Sequence, residues 1–210
     1  MFRRPSAQPS RRAVLHVRAA DDPAASAELA AWYTERAFHF YLAGLRLSPL
    51  APVGARPGAR YLAAAFADLD AACTHLRQVD GIASVIVMAH GRAAMTAALW
   101  RDARADGAAD ALILDDPAVP AGVSLNLEID CPVLVMSGAA GPPAAHGPLR
   151  GHWPRRQGVQ PHPAGPGALQ LGGHVTWLRL PAEPDARQFL DEIGRWLGAY
   201  MYGGVRDQLL

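Results

Sequence analysis

The stretch Ser84–Ala94, SVIVMAHGRAA, decides the fold. Ser84 to Met88 form a short apolar, β-branched run that reads as a buried strand. Ala89-His90-Gly91 is a glycine-centred turn, and from Arg92 to about Arg104 the pattern is helical. Strand, tight turn and helix in that order open a βαβ unit.

The same alternation extends in both directions. Upstream, Leu62, Phe66, Leu69, Cys73, Leu76 and Val79 recur at steps of three or four and predict an amphipathic helix ended by Gly81. Ala13–Val17 and Phe38–Leu45 read as strands, with a helix over 24–36 between them. Downstream, Ala111–Leu114, Pro132–Met136 and His174–Leu180 read as strands. A last helix begins at Asp185, with Gln188 three residues on as in a capping box, and buries Phe189, Ile193, Trp196, Leu197 and Tyr200. Short strands alternating with amphipathic helices imply a mainly parallel sheet covered on both faces. Residues 1–11 read as a disordered lead-in, 12–202 as one domain, and 138–173, rich in Pro and Gly, as a long loop.

The bulk numbers bound the function. A chain of 210 residues, half of them apolar, suffices for one domain with a core. A net charge of +1, carried on the basic side by arginine alone, gives no reason to expect nucleic acid. Cys73 and Cys131 lie in apolar stretches with no metal-type spacing, which suits core thiols in a reducing compartment. No segment has the length of a membrane span and no signal-type apolar region is present, so a cytoplasmic location is expected.

Several of these strings resemble the α/β-hydrolase superfamily, and within it serine hydrolases of the lysophospholipase and monoacylglycerol-lipase (serine aminopeptidase-like) type. The likeness is carried by Ala13–Val17, by Glu35–Tyr41 leading to Leu45-Arg46, and by Val85–Ala94, Cys131–Met136 and Phe189–Leu197. It implies a three-layer α/β/α sandwich with a sheet of about six strands. Only about fifteen residues join Leu114-Asp115-Asp116-Pro117 to Cys131-Pro132, so no cap domain is expected.

In such hydrolases a Gly-x-Ser-x-Gly elbow presents the nucleophile between a strand and a helix. The matching residues are Ala89-His90-Gly91-Arg92-Ala93. The small flanks would still permit the turn, but glycine cannot attack a carbonyl. The position of the family's acid falls on Gly141, and the loop Pro181–Asp185, where the histidine would stand, has none. Arg18, Ala19 and Arg92 occupy the oxyanion-hole positions, Arg18-Ala19 in place of a His-Gly pair. A triad needs a nucleophile, a base and an orienting acid. The resemblance therefore implies a fold without its triad: a non-catalytic pseudoenzyme with a binding or assembly role. The alternative is a carboxylic-ester hydrolase with a rebuilt, non-standard site, and a third reading is a decayed paralogue.

Candidate ligand-pocket residues are His90, Asp115, Asp116 and Ser137, all at strand ends where α/β sheets bind ligands. The plain alternatives are that His90 fills the variable position before the elbow residue, that Asp115-Asp116 is a solvated turn, and that Ser137 is a loop hydrogen-bonder. His146, His152 and His162 share the Pro/Gly-rich loop without a zinc spacing. No metal site and no cofactor is implied. The expected partner is an unidentified small molecule or protein.

Overall fold

Strand formation follows the apolar runs. In the computed structural model, which describes residues 1–18, 23–45, 59–104, 108–119, 123–137, 167–180 and 186–201, strands and helices alternate from the second strand to the fifth. They are β1 (Phe2–Arg4), β2 (Arg12–Arg18), α1 (Pro23–Glu35), β3 (His39–Gly44), α2 (Ala59–Gln78), β4 (Ser84–His90), α3 (Arg92–Asp102), β5 (Ala111–Asp115), β6 (Val123–Ser137), β7 (Gly167–Arg179) and α4 (Ala186–Met201). Among the described residues they form one seven-stranded sheet in the order β1-β3-β2-β4-β5-β6-β7. Every pairing is parallel except β1 with β3.

The period-two alternation of each strand sorts its side chains to two faces. Ala13, Leu15, Val17, Val85, Val87, Ala89, Leu112, Leu114, Val133 and Val135 pack in one core with residues of α2 and α3. Val14, Ile86, Met88, Ala111, Ile113, Leu134 and Met136 pack in a second core with Tyr33 of α1 and Ile193, Trp196 and Leu197 of α4. Both faces are thus covered, as the near-continuous apolar strands require. Helix α2 buries Ala65, Leu69, Cys73 and Leu76, while Val79 lies beyond its end, 69% exposed, and leaves the expected stripe.

Three expectations are corrected. The segment 1–11 contains a strand: β1 pairs with β3 from Phe2↔Leu42 to Arg4↔Phe40, and Arg3 binds Asp80 at 3.1 Å. This edge strand makes the sheet seven-stranded rather than six. Strand β6 begins at Val123, well before Pro132. Gly167–Gly173 does not belong to a loop: it continues β7 and pairs in parallel with Val123–Ile129. Leu125, Leu127, Ile129, Leu169 and Leu171 give this extension its apolar face, a spacing of two that the neighbouring glycines disguise. The rest of that loop, 138–166, lies outside the described residues. No helix stands between β5 and β6 among the described residues, and no cap domain is evident.

Candidate functional site

The site grows from the ends of three adjacent strands. β2, β4 and β5 run parallel and in register, so their carboxyl ends lie side by side, with Val17 opposite Ala89 and His90 opposite Asp115. The residues that share a face with Val14, Ile86 and Ala111 continue at every second position: His16 and Arg18 on β2, Met88 and His90 on β4, Asp115 on β5. All five therefore face the α1/α4 side of the sheet, and all five line one pocket of about 260 Å³ with Glu28, Leu29, Ala186, Phe189 and Leu190.

Gly91 makes the turn between β4 and α3. Its backbone sits at φ 58° and ψ −122°, a conformation that strains any residue with a Cβ. The turn is pinned on both sides: the Gly91 amide donates to the Asp115 carbonyl at 2.8 Å, and the Gly91 carbonyl accepts from Ala118 at 3.1 Å and Met95 at 3.3 Å. A Cβ built on Gly91 would meet nothing within 4 Å. The turn is a sharp strand-to-helix bend with open space above Gly91. Ala89 and Ala93, both fully buried, are the small flanks that the turn needs.

Beside the elbow, His90 Nδ1 lies 2.9 Å from Asp115 Oδ2. That carboxylate raises the imidazole's pKa above its usual value; partial burial opposes it, and Asp116 adds to the rise while Arg18 reduces it. A carboxylate at Nδ1 also holds the proton there, leaving Nε2 the basic nitrogen of the neutral ring. The His90 side chain is 60% exposed, so Nε2 is within reach of solvent. The pair has the geometry of an imidazole held by a carboxylate.

Behind it stands His16, 3% exposed and tilted against Phe40. Burial first, and then the charges of Arg18 and His90, hold its pKa down to about 4, so the ring is neutral at ordinary pH. Its Nδ1 is buried with no hydrogen-bond partner among the described residues. Arg18 reaches α1, where it donates to Ser26 Oγ at 2.9 Å.

The structure thus brings His90 and Asp115 together, which the plain readings of a variable position and a solvated turn did not anticipate. Asp116 and Ser137 do not line the pocket. Asp116 has φ 46° and donates its amide to the Met136 carbonyl at 2.7 Å, while the Ser137 carbonyl accepts from Leu180 at 2.9 Å; both stitch strand ends together. Arg92 is the first residue of α3. Ala19, Gly141, the loop 181–185 and the three loop histidines lie outside the described residues. His16, Arg18, Leu29 and Phe189 were missed as pocket residues. The signal for the first two was parity along β2, unusable without knowing that β2 lies beside β4.

No protein-family model and no curated protein sequence matches the chain. Solved structures do. Thermogutta terrifontis esterase 2, phosphoramylated by tabun, superposes with a TM-score of 0.56 at 13% identity, over 93% of this chain and 87% of that one. A carboxylesterase from Mesorhizobium loti gives 0.57 at 13%, over 90% of each chain. Est1E from Butyrivibrio proteoclasticus gives 0.56 at 10%, over 96% and 92%. Identities this low speak to fold. With the parallel sheet, the two helical layers and the elbow already in place, they establish that the chain has the α/β-hydrolase fold of these esterases.

Proposed function

We propose that this chain is a non-catalytic, ligand-binding member of the lysophospholipase-like branch of that fold, a pseudoenzyme. One observation carries the reading: the elbow backbone at Gly91 is kept in its strained shape with open space above it, while the residue it exists to present has no side chain. Nucleophilic acyl transfer needs an attacking atom at that point. The pocket beside the elbow supports binding as the retained role. The two cysteines, buried and unbridged, are consistent with a reducing cytoplasmic setting. Purified protein is expected neither to label with a fluorophosphonate probe nor to hydrolyse short aryl esters. Turnover above a heat-killed control that is abolished by replacing a single serine would overturn the reading.

The 2.9 Å His90–Asp115 contact favours one second reading, ester hydrolysis by a water molecule that His90 Nε2 deprotonates. Such an activity would resist fluorophosphonate, would rise with pH as His90 loses its proton, and would vanish in His90→Gln. No hydrolysis by the wild type dismisses it.

A further inference from the structure

We infer that the N-terminal residues 1–7 are a strap latched by the imidazole of His39, and that a proton taken up by that ring releases it. The latch is separate from the pocket beside Gly91 and does not depend on what that pocket binds.

The strap buries little. All three residues of β1 are exposed, Met1 and Phe2 by 61% and 59%. Polar contacts therefore hold it. β1 pairs with β3 from Phe2↔Leu42 to Arg4↔Phe40, Arg3 binds Asp80 at 3.1 Å, and Arg4 donates to the Ala27 carbonyl at 3.5 Å. The Ala7 amide donates to the Thr34 carbonyl at 3.1 Å, and the Ser6 amide donates to His39 Nδ1 at 3.2 Å.

His39 is gripped from both sides of its ring. Nε2 lies 3.0 Å from the Ser10 carbonyl oxygen. A carbonyl only accepts, so Nε2 carries the proton and Nδ1 receives the Ser6 N–H on its lone pair. The two bonds coexist only in the neutral ring, in that one tautomer. An imidazolium donates from both nitrogens, so its Nδ1 proton would meet the Ser6 N–H, donor against donor. The Ser10 bond survives and gains from the charge. Ser10 is fastened independently, its Oγ donating to the Ala37 carbonyl and accepting from the Arg12 amide. The strap thus has a fixed end at Ser10 and a releasable end at Ser6.

Solvent reaches the latch. His39 is half-buried and lines an open depression of about 660 Å³ with Ser6–Arg11. Histidine is the side chain that ordinarily changes charge between pH 5 and 8. Among the described residues no carboxylate is bonded to His39 to hold the charged ring in place. The charged groups on the elements around it are Arg11 on the depression, Arg12 of β2 over Phe38, Glu35 and Arg36 at the end of α1, and Arg3, His75 and Asp80 across the sheet edge. Arg3 and His75 use different oxygens of Asp80, so a proton on His75 strengthens that contact without displacing Arg3. Opening is local and bares the outer edge of β3. Global unfolding loses no more than the free energy that closes the strap.

The test follows hydrogen exchange of the full chain at about pH 7.5 and about pH 5, corrected for the intrinsic pH dependence of exchange. Protection of the amides in residues 2–8 is expected to fall at least about tenfold on acidification, with β4 unchanged. His39→Gln offers a donor and an acceptor but cannot titrate, and its strap should be equally protected at both pH values. A wild-type change below about twofold, a fall shared by β4, or an equal fall in His39→Gln, which would place the sensor at another group such as Asp80, would each overturn the inference. If His39→Gln does not fold, the ring nitrogen chemical shifts of the wild type decide. The tautomer protonated at Nε2, and a His39 titration midpoint that coincides with the midpoint of strap release, are expected. The other tautomer, or separate midpoints, would overturn the latch.

Discussion

At the scale of single residues, Gly91 separates two meanings of a missing side chain. Space does not demand glycine there, since a Cβ would touch nothing within 4 Å. The backbone does, because φ 58° with ψ −122° strains an L-residue by about 1–3 kcal/mol. Gly91→Ala and Gly91→Ser should therefore lower the urea-unfolding free energy by about that amount without cavity or clash effects. A stabilised Gly91→Ser would mean that the elbow relaxes. The serine variant is also expected to stay at background ester hydrolysis, because a hydroxyl alone does not reconstitute a base and acid arranged around it; strong turnover would show His90 and Asp115 serving it directly. The pattern AHGRA made the elbow legible, because strand, small flank, glycine and helix are local signals. The His90–Asp115 pair was not legible, because it spans two strands whose adjacency is a property of the sheet. Parity along each strand placed both residues on one face. Only the register placed them opposite each other.

At the scale of elements, the β6/β7 extension shows how glycine obscures a strand. Ile129 pairs with Gly173 and Val133 with Val175, so β6 advances four residues while β7 advances two. The irregularity contains Pro132, which has no amide to give to a ladder. Gly173 sits at φ 96°, and a Cβ there would come 2.1 Å from the Ile129 carbonyl oxygen. Gly173→Ala should cost about 2–5 kcal/mol from strain and overpacking combined. Gly172 is the control: the atoms nearest its Cβ would be those of the Glu128 carboxylate, the far end of an exposed, flexible side chain. Gly172→Ala should cost less than about 1 kcal/mol. Equal losses in the two urea curves would contradict the bulge geometry. Between the helices of the same layer, α2 and α3 are tied by Trp100 Nε1 donating to Asp70 at 2.8 Å, with Arg104 on the same carboxylate. Trp100 is fully buried, so Asp70→Ala strands its N–H and should cost about 1–3 kcal/mol, with a changed tryptophan emission as the local report. Periodicity found α2 because its apolar steps are regular. It overran by including Val79, since an apolar residue past the helix end looks the same in sequence as one inside it.

At the scale of the whole molecule, the two pocket histidines couple stability to pH in opposite directions. His90 binds its proton more tightly in the fold than in the unfolded chain, so its contribution is full below the unfolded value near 6.5 and is lost as pH rises through its raised folded value. It is more than half exposed, and solvent keeps that contribution small. His16 is buried and behaves in reverse. Its folded pKa of about 4 lies below the unfolded value of about 6.5, so between these the unfolded chain binds more protons. Stability is full above pH 6.5 and falls as pH drops toward 4, by up to about 3 kcal/mol for that shift. The carboxylate best placed to blur this window, Asp70, is held by Arg104 and Trp100 below its ordinary 3.8 and gives up its contribution at still lower pH. Urea unfolding of the wild type should therefore lose stability steadily from pH 6.5 to pH 4.5. His16→Leu, similar in volume and unable to charge, should flatten most of that slope while leaving the behaviour above pH 7 unchanged. A parallel slope in the variant would place the acid sensitivity elsewhere and would mean that His16 is protonated in the fold. A neutral His16 behind the Gly91 turn is what that slope reads, so the measurement bears on the pocket wall as directly as on the fold.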